Sequence, residues 1–326
     1  MIIPHYWAES RLQIKVPSRQ VTVRRWGWSD VSQEEAQALA EQRASAAMDR
    51  IVNGEDLHRR EPKDTYGSAD GVPIREEVVS RHDDSIITRN SYGSLCLNTP
   101  NVLFADVDAP WQPAPGLSLP GCLLLAAPGI LTGLWQKSFL IGAFIAIGLP
   151  WLWSVIIGRI NTRRRPDAEA QAKQEALAAI RAFSAAHPDW HLRVYETPAG
   201  FRLLAMHDVF DPAGEQARAA LAALNSDRRF AALCALQACF RARVSPKFWR
   251  MGYKPKTQLP KSKWPFPPEH IPRRKAWVEG YNVISSKFAS CRFKERLGSS
   301  TTHPAAEAVR SLHDEMCRAH SDLPLA

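Results

Sequence analysis

The stretch "NVLFADVDAPWQPAPG", residues 101–116, decides the fold. Val102 to Val107 read as a buried strand that ends in two aspartates one residue apart, and proline-rich chain follows at once. Beyond it, Lys137 is the only charged residue between Asp108 and Arg159, a poverty of charge that few soluble folds tolerate. The run divides at "WQKS" (135–138) into "LSLPGCLLLAAPGILTGLW" and "FLIGAFIAIGLPWLWSVIIG", of 19 and 20 residues. Each is near the length that crosses about 30 Å of hydrocarbon as a helix, so a two-helix transmembrane hairpin is expected over 117–158. Arg159, Arg163, Arg164 and Arg165 crowd its exit while its turn holds one lysine, which predicts a multi-pass protein of the inner membrane with both termini cytoplasmic. Gly129 and Gly133 let two helix backbones approach closely, either within the hairpin or between the protomers of a homodimer. Pro120, Pro128 and Pro150 leave a re-entrant hairpin open, and a buried pair of soluble helices is the remaining alternative.

A chain of 326 residues is long enough for two ordinary domains and a membrane element. Its net charge of +9 suits nucleic acid or anionic lipid, but it equally suits the lysines and arginines that orient a membrane protein. The opening "MIIPHYWAESRLQIKV" lacks a basic region followed by an apolar core of signal-peptide length. Six cysteines, at 96, 122, 234, 239, 291 and 317, form no CxxC pair and have no histidine at zinc spacing. Neither a structural metal nor a disulfide framework is expected, and the reducing cytoplasm fits.

Residues 1–100 read as a small α/β unit. "RQVTVRRWGW" (19–28) alternates like a strand, and 32–54 is a helix with a Ser32/Glu35 capping box and a stop at Gly54. "GVPIREEVVSRH" and "SIITRNSYGSLCLN" supply two further strands or a strand and a loop. After the hairpin, Pro166 to Ala186 is an Ala-rich helix with proline in its first turn. "HLRVYETPAGFRLLAM" (191–206) gives two strands around a Thr197–Gly200 turn, then comes a helical region, and "CFRARVSP" (239–246) is a last strand. Without the apolar run the order is strand, helix, strand, strand, helix, strand, the split βαβ or ferredoxin-like pattern of an antiparallel sheet backed by two helices. The expected fold class is therefore α+β, with a ferredoxin-like domain built from 101–108 plus 166–250 and Val102–Val107 in mid-sheet. The membrane hairpin interrupts it, and both halves of one sheet must lie on the same side of the membrane, so the crossings are even in number. Residues 251–275 are Pro- and Lys-rich and extended, and 276–326 form a C-terminal helical region.

Asp106 and Asp108, two apart on a strand, share a face. The expected strand order brings Arg202, Arg241 and Arg243 to the same edge, with Lys247 just beyond the last strand and Thr197 and Gly200 at the neighbouring turn. Counting back from a Thr197/Gly200 pair sets Tyr195 opposite Arg202. Two carboxylates at a strand end suit Mg²⁺ held against phosphate oxygens, with arginines forking onto the phosphate. The same residues also suit plain charge neutralisation at strand ends. The lysines and arginines Lys247, Arg250, Lys254, Lys256, Lys261, Lys263, Arg273, Arg274 and Lys275, interleaved with Trp249, Tyr253, Trp264 and Trp277, suit anionic lipid headgroups or single-stranded nucleic acid. His207–Asp208 and His313–Asp314 read as structural.

"VLFADVD", then a helix, then "YETPAGFR" resembles the palm-type core of the archaeo-eukaryotic primase superfamily. The resemblance covers about 100 residues. It implies metal ligation by Asp106 and Asp108 and places Arg202 where that family usually has histidine, with no third acidic residue in "RARVSP". The whole chain also resembles an uncharacterised bacterial membrane-protein family, which implies no activity. The expectation is a membrane-anchored cytoplasmic protein with a phosphate or nucleotide site near the bilayer surface. A metal-dependent nucleotidyltransferase and a membrane scaffold are the other two readings.

Overall fold

A computed structural model describes residues 1–16, 19–61, 72–254 and 264–326. Strands β1 (Tyr6–Val16) and β2 (Arg19–Ser29) pair antiparallel, and helix α1 (Gln33–Val52) packs Ala47, Met48 and Ile51 against Val21 and Val23. The opening segment, expected only to lack a signal peptide, is thus mostly strand. Ser32 Oγ caps α1 by accepting from the Glu35 N–H at 3.2 Å, but the Glu35 carboxylate accepts from Ser29 Oγ at 2.6 Å, so half of the expected capping box forms. Gly54, at φ +92°, supplies the left-handed turn that stops the helix.

The chain continues through β3 (Glu77–His82), β4 (Ser85–Arg89), β5 (Leu95–Thr99), β6 (Phe104–Asp108), α2 (Leu119–Trp135) and α3 (Phe139–Ala186). Then follow β7 (His191–Thr197), β8 (Gly200–Ala205), α4 (Glu215–Ala223), α5 (Arg228–Gln237), β9 (Phe240–Arg243), α6 (Ile271–Ser285), β10 (Arg292–Gly298) and α7 (Pro304–Cys317). The result is a mixed α+β protein with antiparallel sheets. Met1–Asp108 and Ala179–Ala326 make one compact unit, and Ala109–Ala178 make the other.

In the first unit two four-stranded sheets run β10-β7-β8-β6 and β3-β4-β5-β9. β8 lies antiparallel between β6 and β7. Two expectations about the strand order need correction. β6 lies at the sheet edge instead of its middle, and β9 pairs with β5 (Cys96↔Arg243 to Thr99↔Phe240) instead of β6. The fourth place goes to β10 on the far side of β7, in "RFKERLG", where a helix was expected. Its Lys, Glu, Arg and Leu favour helix, but β7 offers an open edge and Phe293 meets Tyr195 across it with ring centroids 5.7 Å apart, so pairing overrides propensity. The helical region after β8 also breaks in two, where Asn225 turns left-handed (φ +50°) and Asp227 caps α5.

In the second unit, α3 is the one helix among the described residues that is long and apolar enough to cross a membrane, and α2 is a shorter apolar helix. α3 does not restart at Pro166 as expected. It runs unbroken through both Pro150 and Pro166, each of which removes one backbone hydrogen bond. Leu124, Trp135, Phe139, Leu140, Phe144 and Trp151 are all exposed along these helices. A Cβ on Gly133 would sit 2.8 Å from the Gly142 Cα, and Gly129 abuts the Ala146 backbone, so the GxxxG face of α2 is closed against α3 in the same chain.

Candidate functional site

The site grows from one row of the β10-β7-β8-β6 sheet. Register sets Asp106 opposite Arg202 and Arg202 opposite Tyr195, the pairing expected from the turn, and one step on it sets Asp108 opposite Gly200 and Gly200 opposite Thr197. Thr197 Oγ1 accepts from the Ala199 N–H at 3.3 Å, so this residue shapes the turn.

Arg202 is 2 % exposed and forks onto Asp106, with Nε to Oδ1 at 2.8 Å and Nη2 to Oδ2 at 3.2 Å, while Nη1 donates to the Arg243 carbonyl at 2.7 Å. That last bond ties one sheet to the other. Burial pushes the Asp106 carboxyl up, but Arg202 outweighs it, with smaller help from Arg243 and His313, and holds it below the ordinary carboxylate range. Both Asp106 oxygens are therefore engaged. Asp108 is exposed, and its carboxyl is raised by partial burial and then by Asp106 and Asp227, against the pull of Lys247 and Arg243. The loop carrying Asp227 is pinned to β6 where Ser226 Oγ donates to the Asp106 carbonyl at 2.9 Å.

Arg241 and Arg243 alternate onto one face of β9 but serve different partners. Arg241 donates to both oxygens of Glu76, at 2.7 and 2.6 Å, and Glu76 also accepts from Thr88 Oγ1 at 2.7 Å. Arg241 thus belongs to a buried ionic cluster with Glu76, whereas Arg243 acts on the aspartates. Past β9 a tight turn, closed by Arg250 N–H to the Lys247 carbonyl at 2.9 Å, brings Lys247 and Arg250 together. Burial, then Arg243 and Arg250, push the Lys247 ammonium down to about 8, with Asp108 and Asp106 opposing. Arg250 is lowered by burial and by Arg243, and its Nη1 is buried with no hydrogen-bond partner among the described residues. Lys247 also lies 5.5 Å from the Trp249 ring.

The structure therefore brings together Asp106, Asp108, Arg202, Thr197, Gly200, Arg243 and Lys247, and it sets Arg241 apart. Sequence reasoning left out Ser226, Asp227 and Glu76, and put Arg250 only in the basic stretch. The Lys247-x-x-Arg250 spacing was a usable signal, since a single turn makes such residues neighbours.

Part of the basic and aromatic stretch serves the core. Trp277 and Tyr281 are buried with Met251, and Tyr253 packs on Trp277. Arg274 pairs with Glu77 at 3.1 Å and covers Phe266. Lys256, Lys261 and Lys263 lie outside the described residues. A groove of about 530 Å³ bordered by Met1, His5, Asp30, Arg81 and Asp84 holds none of the candidate residues.

One cluster of cysteines was not visible in the sequence. Cys291, His313 and Cys317 converge, each offering a ligand atom within 4.8 Å of the others, although neither their spacing nor a CxxC pair announced it. His313 and Cys317 stand one turn apart on α7, and Cys291 arrives from the residue before β10. No protein-family model, curated protein or solved structure matches the chain.

Proposed function

We propose that this is a membrane-anchored protein whose sheet-bearing unit binds a phosphate-bearing anion through Arg243, Lys247 and Arg250 beside Asp108. Arg250 carries the reading: a guanidinium nitrogen buried without a hydrogen-bond partner among the described residues, next to an ammonium that burial and like charge already strain. Cations held close together repel one another, and a bound dianion turns that repulsion into attraction while satisfying the open donor. The Thr197–Gly200 turn borders Asp108, the acidic residue that faces this cluster. Because Arg202 occupies both Asp106 oxygens, Mg²⁺ would fall to Asp108 and Asp227, so we favour anion recognition without metal over a metal-dependent nucleotidyltransferase.

Calorimetry of the full-length protein in detergent with inorganic phosphate, pyrophosphate and ATP, each with and without Mg²⁺, tests this. Binding that needs no metal is expected. Affinity should be present below about pH 8 and fall as pH rises through that value, because only the protonated Lys247 attracts the anion; an ordinary lysine would hold its charge to about 10.4. Lys247→Ala should weaken binding roughly tenfold to a hundredfold, the equivalent of about 1.5–3 kcal/mol for a charged hydrogen bond. Binding that requires Mg²⁺ and disappears in Asp108→Asn/Asp227→Asn would favour the metal-dependent reading instead, and no binding of any phosphate compound would leave the scaffold.

Anchoring is read as a two-helix hairpin of α2 and the apolar part of α3 in the inner membrane, with both termini cytoplasmic. Exposed apolar side chains on both helices, the close glycine approach between them and the four arginines after Gly158 support it. A homodimer through Gly129 and Gly133 would compete for a face that α3 covers. On this reading the sheet unit is a variant of the ferredoxin-like pattern closed by β10, and anionic lipid headgroups are one source of the phosphate. A cysteine placed at Ser138 in a cysteine-free background should react with an impermeant thiol reagent added to intact cells. Reaction only after cell opening, with internal termini, would sink the hairpin.

A further inference from the structure

We propose that Cys291, His313 and Cys317 form a binding site for a thiolate-seeking metal ion, Zn²⁺ or Cu⁺. All three side chains are fully buried, Cys291 lies 22 residues before His313, and their ligand atoms lie within 4.8 Å of one another. The imidazole is oriented for the task. Its Nδ1 faces Asp314 Oδ1 at 3.0 Å, which directs Nε2 at Cys291 Sγ, 3.8 Å away. A carboxylate behind the histidine is the arrangement that fixes tautomer and ring direction in metal sites.

The distances also fit. With a metal–sulfur bond of about 2.3 Å and a metal–nitrogen bond of about 2.0–2.1 Å, tetrahedral geometry puts sulfur and nitrogen about 3.6 Å apart and the two sulfurs about 3.8 Å apart. The Cys291–His313 separation is nearly that value, so only small side-chain rotations are needed to close the set. Two thiolates and a neutral imidazole would cancel the charge of Zn²⁺. Phe104 and Tyr195 wall the imidazole at 5.3 and 4.7 Å between ring centroids, giving the apolar shell that keeps water from such a centre. Zn²⁺ would take a fourth donor beyond these three, whereas soft thiolates also select Cu⁺. The ion would clamp α7 to the segment entering β10, which gives it a structural role.

The full-length protein, purified in detergent with a reductant and no chelator, is expected to carry one ion per chain by elemental analysis, and the element found separates Zn²⁺ from Cu⁺. Cys291→Ser and Cys317→Ser should each lose it, while Cys234→Ser, at a buried cysteine outside the cluster, should keep it. If the first two variants do not fold, unaltered protein stripped with a chelator and reloaded with Co²⁺ decides the matter, through the thiolate-to-cobalt charge-transfer absorption. Protein that holds no ion and shows no such absorption overturns the proposal. So does a mass spectrum of unreduced protein in which Cys291 and Cys317 are joined as a disulfide.

Discussion

Asp106→Ala is expected to destabilise the sheet-bearing unit by about 3–5 kcal/mol, because it strands a charged guanidinium that has almost no access to water. Arg202 is 2 % exposed, and without Asp106 its remaining partner is the Arg243 carbonyl. The reverse change should cost less. The Asp106 side chain is 36 % exposed, so Arg202→Met leaves a carboxylate that water can reach, and about 1–3 kcal/mol is expected from the lost charged hydrogen bonds. The double variant should recover part of the Asp106→Ala loss. Urea unfolding of the three proteins in detergent, followed by tryptophan fluorescence, gives the order. If Arg202→Met were the more damaging, the buried cation would not be the costly partner.

Asp314→Leu is the second large effect, again about 3–5 kcal/mol, because it removes one buried acceptor from several donors at once. The Asp314 side chain is 6 % exposed; its Oδ2 accepts from Arg193 at 3.1 Å, Arg310 at 3.2 Å and His320 at 3.1 Å, while Oδ1 faces His313. Burial pushes this carboxyl up, but the donors of His313 and Tyr195, with the charge of Arg193, hold it far below the usual range. Arg193 sits on β7 and Asp314 on α7, so the cluster fastens the C-terminal helix to the sheet. Arg310→Ala, at a residue 24 % exposed, should cost no more than about 1 kcal/mol. Equal losses in the two variants by the same urea measurement would mean that the cluster contributes only as a surface ion pair.

Elements governed by nearest neighbours were legible in the chain. The cap at Ser32 and the stop at Gly54 bounded α1, and the Thr-Pro-Ala-Gly turn fixed a register that put Tyr195 opposite Arg202 and Arg202 beside Asp106. β6 showed as a buried apolar strand, β7 and β8 as two strands flanking a recognisable turn, and β9 as a short run before Pro246, signals that hold whatever the partner strand. The charge-poor run likewise gave the two apolar helices directly, because scarcity of charge is a property of composition.

What the sequence by itself determined is this local set: the mixed α and β elements, the apolar helices, the strand hairpin at 191–206 and the residues of the Asp106 row. Tertiary structure alone decided which edge each strand took and which side chain each charge met. β9 went to β5 and β10 to β7 because an open sheet edge is satisfied by whichever strand packing delivers, and backbone hydrogen bonds carry no label for sequence. Arg241 and Arg243, indistinguishable two residues apart, parted because Glu76 closed on the first while Arg243 was left facing Asp106, Asp108 and Lys247. Cys291 met His313 and Cys317 only when α7 packed against the sheet. A contact across that span of chain leaves no periodic trace in the residues that make it.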